Sequence, residues 1–354
     1  MSGSLNGIKR ILLIVLVSLG LGAIFILIIG QNPITAYGAL LKGAFIGKRN
    51  LGNTIANVTP LLLTSMAFAI GAKGGAFNVG VEGEVFLGGI TAAYIGSSWD
   101  FLPGPILVIA SFLGAMVVSG LFAAIPGYLK AYLGVSDVCS TILLNYVAFN
   151  ICSYLVSGPM SAGLANSQSK PVAEQARLFQ FMKPSNANIG IVIAILIVIF
   201  IIWMYKKTSF GYKIDTIGTN PSFGEYIGIE PKKTLVKTFV LSGVIAGIAG
   251  AIEVLGVHGA YVNNFAANLG NNGMLAALIV KNNLALVPFM GVFLGALKSG
   301  ALGMQQSTGV PKSIVDTITA IFIIVATMEL LFEFKKKHSK NKVDKNKTLK
   351  LEAK

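Results

Sequence analysis

The chain has 354 residues, of which 54% are hydrophobic and 12% are charged, so its composition is far from that of a soluble domain. Its formal net charge of +14 would suit nucleic acid, but the lysines cluster in the tail 335–354 and between residues 206 and 237. This clustering is typical of membrane proteins, and we expect no nucleic acid partner. With two histidines and no phosphate-binding glycine loop, we expect no metal site, no enzyme activity and no ATP hydrolysis by the chain itself.

Long apolar segments follow one another along the chain. The first, 11–29, is predicted to be a retained helix, because residues 30–33 lack the pattern of a signal-peptide cleavage site. Continuous apolar runs, rather than short alternating segments, predict an all-α membrane helical bundle with nine or ten transmembrane helices. The further predicted spans are 54–72, 79–97, 104–129, 138–157, 189–205, 235–257, 284–304 and 313–333, with a shorter, interrupted one at 265–281.

The placement of positive charge predicts the topology. The basic pair Lys9–Arg10 precedes the first span, and lysines recur in the loop 206–234 and in the tail 335–354. Lys and Arg concentrate on the cytoplasmic side, so both termini and the loop 206–234 are expected inside and the loop 158–188 outside. The sequence thus predicts a transmembrane domain over 1–334, followed by a basic cytoplasmic tail that lies beside anionic lipids.

A polar, glycine-rich stretch, FNVGVEGEVFLGG over residues 77–89, stands where an apolar span should begin. Its pattern Asn-apolar-Gly-x-x-Gly at residues 78–83 returns at residues 268–273, again before an apolar run. Five predicted spans separate the two copies, so the copies would enter the membrane from opposite sides. Inverted repeats of this kind are typical of transporters, whose substrate sites lie near the midplane where helices are interrupted. We therefore predict an inverted internal repeat with a polar cavity at the two interruptions.

The polar residues of the interruptions are candidates for that cavity. Glu82 has two open interpretations, either a carboxylate at a helix start, near the positive end of the macrodipole, or a residue of the translocation pathway. Glu84 is expected at the helix start, and Asn78 is expected to stabilise the break. Asn271 and Asn272 would supply neutral donors and acceptors in the second copy.

The span 235–257 carries a carboxylate, Glu253, well inside its apolar run. A pathway role and a structural hydrogen bond are both open for this residue. Gly243, Gly247 and Gly250 precede it at spacings that allow close helix approach, so we expect them to be packing residues.

The loop 206–234 reads KKTSFGYKIDTIGTNPSFGEYIGIEPKKT. Residues 222–229 could form two helical turns and dock into a groove on a separate protein. The loop resembles the ATPase-contacting loop of bacterial ABC importer permeases of the ribose and branched-chain amino-acid superfamily. Five of its residues match that family pattern, whereas Phe223 and Gly224 replace a pair of alanines. The resemblance implies the following coupling residues: Gly218, Asn220, Pro221, Ser222, Phe223, Glu225, Tyr226, Gly228 and Ile229.

Within this superfamily the chain is most similar to the nucleoside permeases that work with basic-membrane-protein-type lipoproteins. Phe77–Gly83 matches their Phe-Asn-Ile-Gly-Val-Glu-Gly motif, Thr141–Tyr146 matches a Thr-Ile-Met-Leu-Asn-Tyr-type motif, and the glycines of 242–250 also fit. Glu84 departs from the pattern, which has Gln there. The resemblance extends from about residue 50 to 333, and the predicted pathway residues are Phe77, Asn78, Glu82, Asn145, Glu253, Asn268, Asn271 and Asn272.

The resemblance implies a permease subunit in a bacterial plasma membrane. Its partners would be a cytoplasmic ABC ATPase, which binds the ATP, a second permease subunit, identical or related, and an extracellular substrate-binding lipoprotein. The chain itself would need no cofactor. A nucleoside calls for Asn-type donors and acceptors plus aromatic stacking, and Phe77 and Asn78 suit it. The alternatives are an importer of simple sugars such as ribose, or an ion-coupled secondary transporter in which Glu82 and Glu253 bind protons or cations.

Overall fold

A computed structural model describes residues 16, 19–163, 167–311, 313–318 and 320. Lys9, Arg10, the tail 335–354, the first part of the first predicted span and most of the last predicted span lie outside these residues. The described helices, in chain order, are α1 (Leu19–Ile28), α2 (Pro33–Phe45), α3 (Lys48–Lys73), α4 (Val81–Ser98), α5 (Gly104–Leu133), α6 (Asp137–Ser157), α7 (Gly190–Lys207), α8 (Ser209–Thr219), α9 (Pro221–Tyr226), α10 (Pro231–Ile252) with a π-helical end (Glu253–His258), α11 (Leu269–Ile279) and α12 (Val287–Thr308).

The predicted fold class, a polytopic bundle of membrane helices, is confirmed. Six of the described helices are long and apolar enough to cross a membrane: α3, α5, α6, α7, α10 with its π-helical end, and α12. A seventh span results if α1 and α2, which are bent by 116° relative to each other, are counted as one. The helix α4, with Glu82 and Glu84 in its first turn, is not among the six.

The interrupted segment at 265–281 does not form a full span. Its helix α11 has 11 residues, which extend over about 16 Å and so cover only about half of a bilayer core. The sequence left open whether this segment crosses the whole membrane, and α11 is too short to do so. The second copy of the repeated pattern begins a half-length helix.

The chain divides into two compact units, residues 40–303 and residues 1–39 with 304–354. In the second of these, the Tyr37 hydroxyl donates to the Leu19 carbonyl at 2.6 Å. In the unit 40–303, α3 and α10 are central, because 78% of the most apolar 18-residue stretch of each helix is buried. Only 22–33% is buried in α5, α6 and α7, which therefore form the periphery.

Glycines bring the central helices of this unit into backbone contact, as predicted. A Cβ on Gly243 would lie 2.5 Å from the Ser119 carbonyl oxygen of α5, and one on Gly247 would lie 2.5 Å from the Ala115 carbonyl. One on Gly250 would overlap the Val85 carbonyl of α4. Any side chain here would therefore separate α10 from α4 and α5, which confirms the packing role of these glycines.

The loops 158–188 and 206–234 lie at opposite ends of α10. The first pairs with the residues that follow the π-helical end, since Val172 donates to the Gly259 carbonyl at 2.9 Å and Ser169 donates to the Tyr261 carbonyl at 2.8 Å. The second contains α8, a helix that the sequence did not predict. Its buried Ile214 contacts Gly74 at the end of α3.

Candidate functional site

The first interruption, residues 74–80 between α3 and α4, is held at its start by an ion pair. The Lys130 ammonium donates to the Gly75 carbonyl at 2.6 Å and to the Asp137 carboxylate. The same carboxylate oxygen accepts the Phe77 backbone N–H at 2.7 Å. Sequence reasoning missed Lys130 and Asp137. The available signal was a pair of opposite charges on either side of the short connection between α5 and α6.

The centre of this interruption is held by the amide of Asn78, which is fully buried. Its Nδ2 donates to Glu84 Oε1 at 2.8 Å and to Ser242 Oγ at 3.0 Å, and its Oδ1 accepts the Gly80 N–H at 2.9 Å. Ser242 in turn donates to the Ala67 carbonyl at 2.8 Å. Asn78 therefore connects the break to α4, α10 and, through Ser242, to α3, as expected of a residue that stabilises the break.

Asn145 of α6 holds the end of the same interruption. Its Nδ2 donates to the Val79 carbonyl at 2.9 Å, and its Oδ1 accepts the Gly83 N–H at 2.8 Å. The Gly83 N–H and the Val79 carbonyl would bond to each other in a continuous helix, and one side-chain amide satisfies both groups at the break. The matched motif at Thr141–Tyr146 contributes to the site through this residue.

The second interruption, residues 259–268, has a more unusual backbone. Asn264 and Asn268 adopt left-handed conformations, with φ of 63° and 64°, and Lys281 and Asn282 do so just after α11. Residues other than glycine rarely adopt this conformation, and such residues cluster at functional sites. Three of these four residues are asparagines, which tolerate the left-handed conformation better than other residues with a side chain, and the four flank both ends of α11.

Glu82 joins the two interruptions. Its Oε1 accepts the Asn268 N–H at 3.1 Å and its Oε2 accepts the Asn271 N–H at 3.4 Å. The carboxylate of the first motif therefore caps the N-terminus of the helix that the second motif begins, where it meets the positive end of that macrodipole. The backbones of α4 and α11 are also in close contact here, since a Cβ on Gly270 would lie 2.5 Å from the Glu82 nitrogen.

The structure thus brings together most of the predicted pathway residues. Glu82, Asn271 and Asn272 are half-buried and Asn268 is exposed, so polar groups remain accessible where the two motifs meet. Half-buried Phe77 packs edge-on against Phe68, with ring centroids 5.1 Å apart. The side-chain amides of Asn78 and Asn145 form hydrogen bonds with backbone groups at the first interruption.

Glu253 lies apart from this group. It lines a separate cavity of about 220 Å³ with Asn53, Asn57 and Asn186. Its Oε2 is 3.4 Å from His258 Nε2, and this pairing follows from the π-helical turn, which places residues five apart one above the other. The Glu253 carboxylate thus has a polar partner, His258, as a carboxylate inside an apolar span requires.

The predicted coupling loop forms two helices. Asn220 caps α9 by accepting the Phe223 N–H at 3.0 Å, and Pro221 occupies the first turn. Gly224 and Ile229 are buried, and Gly228 has a φ of +83°, which allows the chain to turn back. Ser222 and Glu225 are exposed. Three large hydrophobic side chains also face outwards: Phe223 (51% exposed), Tyr226 (88%) and Ile227 (40%).

The loop contacts the first interruption directly. Gly218, at the end of α8, lies so close to the end of α3 that a Cβ there would overlap the Lys73 carbonyl. In contrast, a Cβ on Gly224 would meet its nearest neighbour, Ile217, at an ordinary 3.5 Å. A displacement of α8 would therefore act on the residues that precede the break at 74–80.

Comparison with known proteins identifies relatives of this architecture. A family described as "Branched-chain amino acid transport system / permease component" matches residues 50–327. The chain is 31% identical to the nucleoside ABC transporter permease protein NupB of Lactococcus lactis, over 88% of each chain. It is also 31% identical to the guanosine ABC transporter permease protein NupP of Bacillus subtilis, over 91% of this chain and 94% of that one. A glucose ABC transporter permease protein of Haloferax volcanii, TsgB13, is 28% identical over 88% of this chain and 85% of its own.

Proposed function

The chain belongs to the family of permease components of branched-chain amino acid transport systems, and on that premise we propose that it is the nucleoside-conducting permease subunit of an ATP-driven importer. Membership makes it a multi-pass transport subunit that works with an ATPase and a substrate-binding protein. The proposal of nucleosides draws on the two relatives with 31% identity, both named for nucleoside or guanosine transport.

The observation that carries the proposal is the meeting of the two interrupted helices at Glu82. Irregular backbone at membrane depth persists only where protein covers it or where it lines an aqueous cavity. Asn268 is exposed and Glu82, Asn271 and Asn272 are half-buried, so the junction is not covered within the unit 40–303. We place the translocation pathway along this junction, because its amide and carboxylate groups suit a neutral, hydroxylated solute.

The ATPase would dock on α9. The outward-facing Phe223, Tyr226 and Ile227 form an apolar patch of the kind that a short helix presents to a groove. ATP would be bound only by this partner. Closure of the ATPase would move α9 and α8, and Gly218 would transmit the movement to Lys73 and the first interruption.

The same proposal fixes the orientation. The loop 206–234 and both termini would be cytoplasmic, and the loop 158–188 would face the lipoprotein outside. Cysteine labelling should find residue 222 accessible from the cytoplasm and residue 168 accessible from outside. The opposite pattern would overturn the orientation and, with it, the inverted repeat.

Uptake of radiolabelled guanosine by cells that express the importer is the direct test. We expect uptake to continue after the membrane potential is collapsed and to stop when ATP is depleted. Unlabelled nucleosides should compete, whereas ribose and branched-chain amino acids should not. Uptake that depends on the potential alone would indicate an ion-coupled transporter, and competition by ribose would indicate a sugar importer.

A pair of glycine variants tests the coupling path. Gly218→Ala should push α8 away from the end of α3 and separate ATP hydrolysis from uptake, measured together in proteoliposomes with the partner subunits. Gly224→Ala is the matched control in the same loop, because its new methyl group has room. Replacement of Asn220-Pro221-Ser222 by three glycines should also uncouple the two activities. Unimpaired uptake in both Gly218→Ala and the triple-glycine variant would exclude this path.

A further inference from the structure

The exposed face of α6 is polar along its centre line, although α6 is a candidate membrane span. Cys139, Leu143, Tyr146, Asn150, Tyr154 and Ser157 recur every three or four residues, and all are exposed. Tyr146 is 65% and Tyr154 is 71% exposed. Only Leu143 in this row has a purely hydrocarbon side chain. We call Tyr146, Asn150 and Tyr154 the α6 stripe.

The exposed face of α7 shows what a lipid-facing helix of the same protein looks like. Val192, Leu196, Ile199 and Trp203 recur at a similar spacing and are 49–61% exposed. Three of these side chains are aliphatic, and Trp203 lies in the last turn, where aromatic residues are common at membrane interfaces. The central row of the exposed face of α6 is therefore more polar than that of α7, whereas the exposed residues that flank it, Val138, Ile142, Val147 and Ile151, are aliphatic.

Tyr146 and Asn150 of the α6 stripe lie within the hydrocarbon thickness, whereas Tyr154 lies in the last turn of α6, as near the helix end as Trp203 is in α7. With a rise of about 1.5 Å per residue, Tyr146 is near the middle of the 21-residue helix, and Asn150 is about 10 Å from its C-terminal end. The Asn150 amide donates to the Tyr146 carbonyl at 2.7 Å, which leaves its Oδ1 without a hydrogen bond inside α6. A carboxamide and a phenol at this depth are unfavourable against lipid tails and favourable against water or a polar solute.

The stripe also continues the proposed pathway. Tyr146 follows Asn145, which binds the first interruption at Val79 and Gly83. At the other end of α6, Asn263 of the second interruption donates to Ser153 Oγ at 3.3 Å, next to Tyr154. The helix α6 therefore extends from one interruption to the other, and the α6 stripe lies beside the residues that make these contacts.

We propose that the α6 stripe faces the aqueous pathway and recognises the base of a nucleoside, with Tyr146 and Tyr154 offering two successive stacking positions and Asn150, between them, bonding the edge of the base. A base presents a flat π-surface with donors and acceptors around it, and aromatic side chains stack on any base. An amide with a free oxygen and a free N–H can pair with such an edge. The inference rests on the proposed function, in which a second permease subunit closes the other side of the pathway.

Thiol labelling in intact cells separates water from lipid. In a Cys139→Ser background, Asn150→Cys should react with a charged, membrane-impermeant methanethiosulfonate, and guanosine should slow the reaction more than ribose does. Ile199→Cys on α7 is the matched control and should stay unreactive. An unreactive Asn150→Cys, in cells that still take up guanosine, would overturn the inference and leave the proposed function in place.

Substitution of the tyrosines tests recognition. Tyr146→Ala and Tyr154→Ala should lower guanosine uptake roughly tenfold each, as expected for loss of a base–aromatic stack. Tyr146→Phe and Tyr154→Phe should retain most of the uptake, because the ring remains. Equal losses in the Phe and Ala variants, or protection of Asn150→Cys by ribose as strong as by guanosine, would refute base recognition. Absence of guanosine uptake by the unmodified protein would refute the proposed function itself.

Discussion

The two interruptions carry the same sequence pattern but are held in different ways. The first, 74–80, receives side-chain hydrogen bonds from α4, α5, α6 and α10. The second, 259–268, is paired with the loop 167–172 in its early part. In its last part Phe265 packs edge-on against Phe86 of α4, with ring centroids 5.8 Å apart, and the hydrogen bonds described between the start of α11 and α4 go to the Glu82 carboxylate. Its Asn264 and Asn268 adopt left-handed conformations.

This difference indicates a division of labour. A break that four helices hold is a fixed support, and its loss should unfold the bundle locally. The start of α11 packs against α3 and α4, but its described hydrogen bonds with α4 go to one half-buried carboxylate. Elements held by fewer polar contacts than their surroundings are where conformational change is found. We therefore expect variants at the first interruption to reduce stability, and variants at the second to reduce transport.

The largest effect is expected for Asn78→Ala at the first interruption. It leaves the Gly80 N–H and the Glu84 carboxylate without their buried partner, at about 1–3 kcal/mol for each group. The thermal stability of the purified protein in detergent should fall accordingly, together with its yield. Asn272→Ala, at a half-buried amide of α11, is the control and should be near neutral. Equal stability of the two variants would contradict the proposed support.

Asp137→Ala should have the next largest effect. It removes the acceptor of the Phe77 N–H and the partner of Lys130, which we expect to cost about 1–3 kcal/mol because the side chain is mostly buried. Asp137→Asn retains an acceptor for the Phe77 N–H but loses the charge, so its stability should lie between those of the unmodified protein and Asp137→Ala. A double-mutant cycle with Lys130→Met measures the interaction free energy between Asp137 and Lys130. Additive losses would show that the ion pair does not act as a unit.

The sequence indicates where the helices break, but not what holds the breaks. The patterns at 78–83 and 268–273 interrupt apolar runs with glycine and asparagine, and such an interruption is visible in the sequence itself. The contact between Asp137 and Phe77 joins residues 60 positions apart, and it depends on the way in which α5 and α6 return to the end of α3. No local periodicity encodes such a contact.

Two further features show the same limit. The helix α8 lies in a lysine-containing loop, and only burial of Ile214 and Ile217 in the folded protein shows that it is amphipathic. Glu253 and Glu82 are both glutamates in similarly apolar stretches of the sequence. The structure separates them, because the π-helical turn gives Glu253 a histidine partner and Glu82 reaches the second motif. Whether the repeat is inverted stays a prediction.

A smaller change in stability, with a larger change in transport, is expected for Glu82→Gln. Glutamine keeps one acceptor oxygen for the N-terminus of α11 but turns an NH2 towards the other N–H, which water can take over because the site is half-buried. It also loses the charge that favours the macrodipole, a difference of about 0.3–1 kcal/mol. Thermal stability should stay close to that of the unmodified protein while uptake falls several-fold. Wild-type uptake would assign Glu82 to the helix start alone, and a loss of stability as large as that of Asn78→Ala would remove the contrast between the interruptions.

The smallest effect should come from Asn268→Gly, which tests the backbone at the start of α11. The φ of 64° suits glycine, so this variant should retain stability. Asn268→Ala should cost about 1 kcal/mol, because alanine has a Cβ but lacks the polar side chain with which asparagine tolerates this conformation. The N–H that Glu82 accepts is present in both variants, so the cap itself is unchanged. Thermal unfolding of the two proteins, measured side by side in detergent, isolates the strain at the start of α11. If glycine and alanine were equivalent there, the left-handed conformation of residue 268 would contribute nothing to stability, and the contrast between the interruptions would rest on their hydrogen bonds.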